Sequence, residues 1–219
     1  MRAPENRNYA FTRPFVAELA RCGLRHACVC PGSRSTPLTV ALAQQPGVRT
    51  WVHLDERSAG YFALGMARAL REPVALVCTS GTAAANFLPA VMEARYAGVP
   101  LLVLTADRPP EAWEWGAPQT VDQTRLYGSH ARWSVIVPPP EATPDLARYV
   151  RALARRAWAA ALEAPAGPVH LNFPFREPLE PRHVGAPAEG AEAPTGDGEG
   201  AAAITLGRRA PDAAAVEAL

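Results

Sequence analysis

No lysine occurs in this 219-residue chain; all 22 basic residues are arginine. That excludes a Schiff-base lysine and the lysine of a Walker-type phosphate loop. No apolar run approaches the roughly 20 residues that cross a bilayer, and residues 1–15 lack the apolar stretch of a secretory signal. A cytoplasmic protein with no membrane partner is the expectation. The formal net charge is only +1, so no electrostatic feature calls for nucleic acid. The four cysteines form no C-x-x-C pair and no zinc spacing. Cys28, Cys30 and Cys78 fall in apolar, strand-like runs and read as buried, reduced thiols. The G-x-G-x-x-G dinucleotide fingerprint is also missing.

Apolar residues make up 48% of the chain, enough for a sizeable core. Residues 9–22 carry apolar positions at helical spacing, with Gly23 as a stop. Six short apolar runs read as strands: 27–30, 48–54, 73–79, 100–106, 133–137 and 167–173. Between them lie helical patterns at 36–44, 56–70, 83–98 and 143–164, the last capped by Thr143 with Pro144 at its first position. Residues 119–128 read as a further short helix. On the 56–70 helix, Ala59, Phe62, Ala63, Met66 and Leu70 share one face, which predicts a core stripe. The strand runs are continuously apolar rather than alternating. That predicts a three-layer α/β/α domain with a mostly parallel six-stranded sheet. The domain spans 1–183; a Gly-, Ala-, Pro- and Glu-rich linker covers 184–203, and 204–219 reads as the start of a middle domain that continues further.

Ligands of open parallel sheets bind at the carboxyl ends of strands. Four clusters fall there. PGSRS carries Ser33 and Arg34; HLDERSAG carries Glu56 in a first helical turn, with Asp55 as N-cap. TSGTAAAN carries Ser80, Gly81, Thr82 and Asn86; TADRPP with GAPQT carries Arg108 and Gln119. Each has a bland reading: a strand-to-helix turn, or an acid placed for the helix dipole. Together they offer two arginines, a carboxylate and an amide, which suits a carboxylate-bearing substrate beside a polar ring. His53 reads as a strand residue, the remaining histidines as structural or surface residues, and Trp113 and Trp115 as packing against the fold or, second, as part of a mobile lid.

The segments GSRSTPL, DERSAGYFALGMA, CTSGTAAANFLPAVMEA, VPLLVLTADRPPE, GAPQTVDQ and GPVHLNFPFREPL, in this order over roughly residues 9–180, resemble the menaquinone-pathway family of 2-succinyl-5-enolpyruvyl-6-hydroxy-3-cyclohexene-1-carboxylate synthases. The resemblance implies the amino-terminal, pyrimidine-binding domain of an enzyme that uses thiamine diphosphate. Such an enzyme decarboxylates 2-oxoglutarate and adds the four-carbon unit to isochorismate, releasing carbon dioxide. Glu56 matches the glutamate that hydrogen-bonds the aminopyrimidine ring and promotes loss of the thiazolium C2 proton. Ser80, Gly81, Thr82 and Asn86 match the region lining the pyrimidine pocket. Ser33, Arg34, Arg108 and Gln119 match positions near isochorismate. Mg2+ and the diphosphate belong, by the same resemblance, to a separate carboxyl-terminal domain with a GDG and Asn pair. The GDG at 196–198 has no preceding strand and no later Asn, so no metal site is expected in this chain. The family resemblance also implies at least a homodimer, little or no activity for this stretch alone, and a partner-facing surface prone to self-association. Two alternatives stay open: another thiamine-diphosphate 2-oxo-acid enzyme, and a non-catalytic binding module.

Overall fold

The six apolar runs pair side by side in the order β2-β1-β3-β4-β6-β5, every pair parallel. A computed structural model describes residues 6–181; the 184–203 linker, the 204–219 segment, the GDG at 196–198 and His183 lie outside them. The strands are β1 His26–Val29, β2 Arg49–Val52, β3 Val74–Cys78, β4 Leu101–Asp107, β5 Trp133–Ile136 and β6 Val169–Pro174. The helices are α1 Arg7–Cys22, α2 Thr36–Gln44, α3 Glu56–Leu70, α4 Thr82–Ala85, α5 Leu88–Ala97 and α6 Pro144–Leu162. All residues of β3, β4 and β6 are buried, as expected where helices cover both faces.

Strand side chains alternate between two cores. Ala27, Val29, Ala75, Val77, Leu102, Leu104, Leu171 and Phe173 pack on the α1, α2 and α6 side. Cys28, Cys30, Leu76, Cys78, Leu101 and Val103 pack on the α3 and α5 side. On the first side, buried Glu18 of α1 accepts a 2.8 Å bond from Arg155 of α6. The layers are thus α/β/α, with the sheet as the middle one.

Three local expectations change. The 83–98 helix breaks at Asn86–Phe87 into α4 and α5, because Pro89 brings no N–H and disfavours a continuous helix before it. Residues 119–128 form turns instead of a helix, with Gln119 and Arg125 at positive φ. On α3 the packed face is Ala59, Gly60, Ala63 and Ala67, while Phe62 and Leu70 are exposed. Small residues win there because α3 lies close on α5: a Cβ at Gly60 would sit 2.9 Å from that of Ala90. Phe62 instead covers the rings of Trp51 and His53, at 5.6 and 4.7 Å.

Cys28, Cys30 and Cys78 are free and buried. Burial pushes the Cys28 and Cys30 thiols up to about 12, and Cys78 well above its ordinary value. Only thiolates alkylate readily. Burial and the Glu18 charge raise the Cys22 thiol too, but it alone is partly exposed. Native chain treated with iodoacetamide at pH 8 is therefore expected to label slowly and at Cys22 alone. Mass spectrometry of the product checks this; labelling of all four thiols without denaturant would show that the α3 layer opens.

Candidate active site

Chain reversal beside β1 creates a crevice at the carboxyl edge, because β1 leads to β2 on one side and neighbours β3 on the other. Asp55 caps α3 by accepting the Ser58 N–H at 2.7 Å. This cap starts the helix at Glu56. Glu56 is half-buried, and its charge is felt by the thiols of Cys30 and Cys78 at the ends of β1 and β3. Glu56 thus opens α3 just past the carboxyl end of β2, within electrostatic reach of the β1 and β3 ends.

The neighbouring turns are packed to the limit of their backbones. A Cβ at Gly32, before the Ser33–Ser35 turn, would meet the Cβ of Thr79 at 2.4 Å. Gly81 has φ 86°, and a Cβ there would meet Gln119 Cγ at 2.9 Å. Only glycine fits both the dihedral and the space. The Ser80 hydroxyl donates to the Gln119 carbonyl and the Gln119 amide donates to the Ser80 carbonyl, both at 3.0 Å. Ser80 and Gly81 are buried, whereas Thr82 and Asn86 are exposed and joined by Asn86 Nδ2 donating to the Thr82 carbonyl. The result is a tight turn with no side chain at Gly81, held against Gln119 and leading out to exposed Thr82 and Asn86.

Beyond that turn lies an open cavity of about 430 Å³ walled by Arg34, Arg108, Arg176, Glu111 and Glu177. Arg34 is buried; it donates to the Phe175 carbonyl at 2.8 Å and pairs with Glu177 at 2.9 Å. Burial first, and the Arg108 charge second, lower the pKa of the Arg34 guanidinium from its ordinary value, while Glu177 pulls it back. The Nε atoms of Arg34 and Arg108 are both buried without a hydrogen-bond partner. Two crowded guanidinium groups with idle donors favour an anion. Arg176 is held by Glu111 across the cavity mouth, at 3.0 Å through Nη2.

Of the residues singled out in sequence, Arg34 and Arg108 share the cavity, and Ser80, Gly81 and Gln119 share the turn. Glu56 belongs to the β1–β3 end and does not line the arginine cavity. Ser33 is exposed at the start of its turn, next to Arg34. Trp113 is half-buried and donates to the Arg108 carbonyl at 2.9 Å, but Trp115 is 83% exposed and does not pack down. Arg176 and Glu177 were missed as site residues. Their signal was present, since FREPL follows the last strand and so falls on the same edge as the other four clusters.

A buried polar network was missed as well. β4 and β6 carry Thr105, Asp107, His170 and Asn172 into the side of the sheet where the β4–β5 connection has no α-helix. Thr105 Oγ1 donates to Asn172 Oδ1 at 2.7 Å and lies 2.8 Å from His170 Nε2. Since the hydroxyl proton is used, Nε2 carries the imidazole proton and Nδ1 accepts from Ser134, 3.1 Å away. Burial lowers the His170 pKa to about 3, so the ring stays neutral. Asn172 Nδ2 donates to Asp107 Oδ2 at 2.6 Å, and Asp107 Oδ1 accepts the Arg108 N–H at 2.7 Å.

Burial raises the Asp107 pKa to about 6, against the pull of those two bonds. The unfolded chain releases this proton near pH ~4, while the folded chain keeps it to about 6. This group's contribution to stability therefore falls as pH rises across that window and is flat above it. A carboxyl 13C titration of Asp107 is expected to show a midpoint of about 6; an ordinary carboxylate midpoint would remove burial as the dominant cause.

Among the described residues, no group of three or more His, Cys, Asp or Glu could hold a metal ion, and no helix is long and apolar enough to cross a membrane. The sequence profile of the thiamine pyrophosphate enzyme N-terminal TPP binding domain matches residues 11–126. This chain belongs to that family. The 2-succinyl-5-enolpyruvyl-6-hydroxy-3-cyclohexene-1-carboxylate synthase of Roseiflexus castenholzii is 59% identical over 178 residues, covering 80% of this chain and 31% of that protein. The synthase of the same name from Haloquadratum walsbyi is 58% identical over 184 residues, covering 84% and 30%. That of Geobacillus kaustophilus is 56% identical over 171 residues, covering 78% and 30%. The chain thus spans a little under a third of the curated relatives it matches. The synthase motifs read from the sequence and the α/β/α domain both agree with these matches.

Proposed function

We propose that this chain is the pyrimidine-binding domain of a thiamine-diphosphate-dependent synthase that transfers an aldehyde unit. The full protein takes 2-oxoglutarate and isochorismate to 2-succinyl-5-enolpyruvyl-6-hydroxy-3-cyclohexene-1-carboxylate and carbon dioxide, a step of menaquinone biosynthesis. Supporting it most is one juxtaposition: Glu56 after β2, the Ser80–Gly81 turn after β3 and a cavity with three arginines share the carboxyl edge of a single sheet. Bound thiamine diphosphate supplies a carbon nucleophile and an electron sink. Glu56 hydrogen-bonds the aminopyrimidine nitrogen and shares a proton there. Ser80, Gly81, Thr82 and Asn86 form the turn that borders the pyrimidine, with Thr82 and Asn86 at its exposed rim. Arg34 and Arg108 hold the carboxylates of isochorismate, with Ser33 and Gln119 beside them.

On this reading Mg2+ and the diphosphate belong to another domain of a cytoplasmic enzyme. That domain comes from a second subunit, making the enzyme at least a homodimer. The exposed apolar side chains of Val52, Leu54 and Tyr61, on either side of Glu56, suit such a contact. This domain alone is expected to be inactive.

The test supplies full-length protein with thiamine diphosphate, Mg2+ and isochorismate, together with either 2-oxoglutarate or pyruvate. Turnover is expected with 2-oxoglutarate. Preference for pyruvate would mark a different 2-oxo-acid enzyme, and failure to bind the cofactor would mark a non-catalytic module.

A further inference from the structure

Gln123 is 1% exposed and lies where the β4–β5 loop crosses under the candidate site. Its carboxamide makes three hydrogen bonds. Oε1 accepts the Gly81 N–H at 2.8 Å; Nε2 donates to the Ala106 carbonyl at 3.1 Å and to Asn172 Oδ1 at 2.7 Å. The orientation is decided by the partners, since an exchanged amide would set donor against donor and oxygen against two acceptors. Through Asn172 and Asp107 the chain of bonds reaches the Arg108 backbone N–H. One side chain therefore joins the turn proposed for the cofactor to the strand end proposed for the anionic substrate.

We propose that Gln123 is a positioning residue, touching neither cofactor nor substrate, that sets the spacing between the Gly81 turn and the Arg108 strand end. The assignment rests on the proposed reading of this edge. Of the amino acids, glutamine alone matches the set at this reach: glutamate cannot donate to the two oxygens, and methionine can do neither part. Site residues act at full strength only when such supporting bonds hold their geometry.

The experiment compares full-length protein with its Gln123→Met variant. Thermal midpoint, thiamine diphosphate dissociation constant, isochorismate half-saturation and kcat are measured, with amide exchange at Gly81 read by mass spectrometry. Folded variant is expected to bind the cofactor at least about tenfold more weakly and to need at least about tenfold more isochorismate, with kcat at saturation within about threefold. A variant that melts earlier but keeps both constants would show that Gln123 only packs, and would overturn the proposal. The unmodified protein supplies a second decision that needs no variant. Its Gly81 amide is expected to be strongly protected; exchange at the rate of an unstructured peptide would overturn the proposal too. If the full-length protein turns over no isochorismate, the functional reading fails, while the cofactor constant and Gly81 exchange still decide the role of Gln123.

Discussion

Full-length enzyme carrying Glu56→Gln is expected to exchange the C2 proton of thiamine diphosphate about 10²–10⁴-fold more slowly than the unmodified enzyme. Overall turnover should be nearly abolished. Glutamine keeps the size and one hydrogen bond of Glu56 but cannot share a proton with the ring nitrogen. Asp55 and not Glu56 caps the helix, and Glu56 makes no ion pair among the described residues. The substitution should therefore leave folding untouched, and a melting curve can check this. Exchange at the unmodified rate would remove the role from Glu56 and with it the central element of the proposed function.

Arg34→Ala should raise the isochorismate requirement by about 30-fold or more, since losing one partner of a buried, hydrogen-bonded charge pair costs about 2 kcal/mol or more. The requirement for 2-oxoglutarate should change far less. Steady-state kinetics with each substrate varied in turn checks the split; equal effects on both would contradict the assignment. Arg34 also donates to the Phe175 carbonyl in a buried setting. Its loss should destabilise the fold by about 1–3 kcal/mol. Arg108→Ala separates the two effects. Arg108 is only half-buried and, among the described residues, its side chain donates only to the Pro118 carbonyl, at 3.2 Å. It should share the isochorismate defect with a smaller loss in melting temperature.

Local features were legible wherever their cause is local. The Thr143 cap accepts the Leu146 N–H, and Gly23 closes α1 by bonding back to Leu19 and Ala20. Asp55 and Glu56 take the two positions read for them. The misread elements have non-local causes. Phe62 and Leu70 suit a helical core stripe, but the close approach of α5 selects the alanine face. Residues 119–128 look helical, yet Gln119 and Gln123 are tied to Ser80 and Gly81, about forty positions earlier, and the loop bends to reach them.

Continuous apolar runs separated by helices are enough to specify a parallel sheet buried on both faces, and the strand-end rule then marks its rim as the place for chemistry. Periodicity and turn residues report on neighbours a few positions apart, so they carry the elements and the four site clusters. The insertion of β6 between β4 and β5, the meeting of Arg34 with Phe175 and Glu177, and the burial of Gln123 against Asn172 came from the assembled fold alone. Their partners lie from 49 to 143 positions apart, and a hydrogen bond across that distance leaves no periodic trace along the chain.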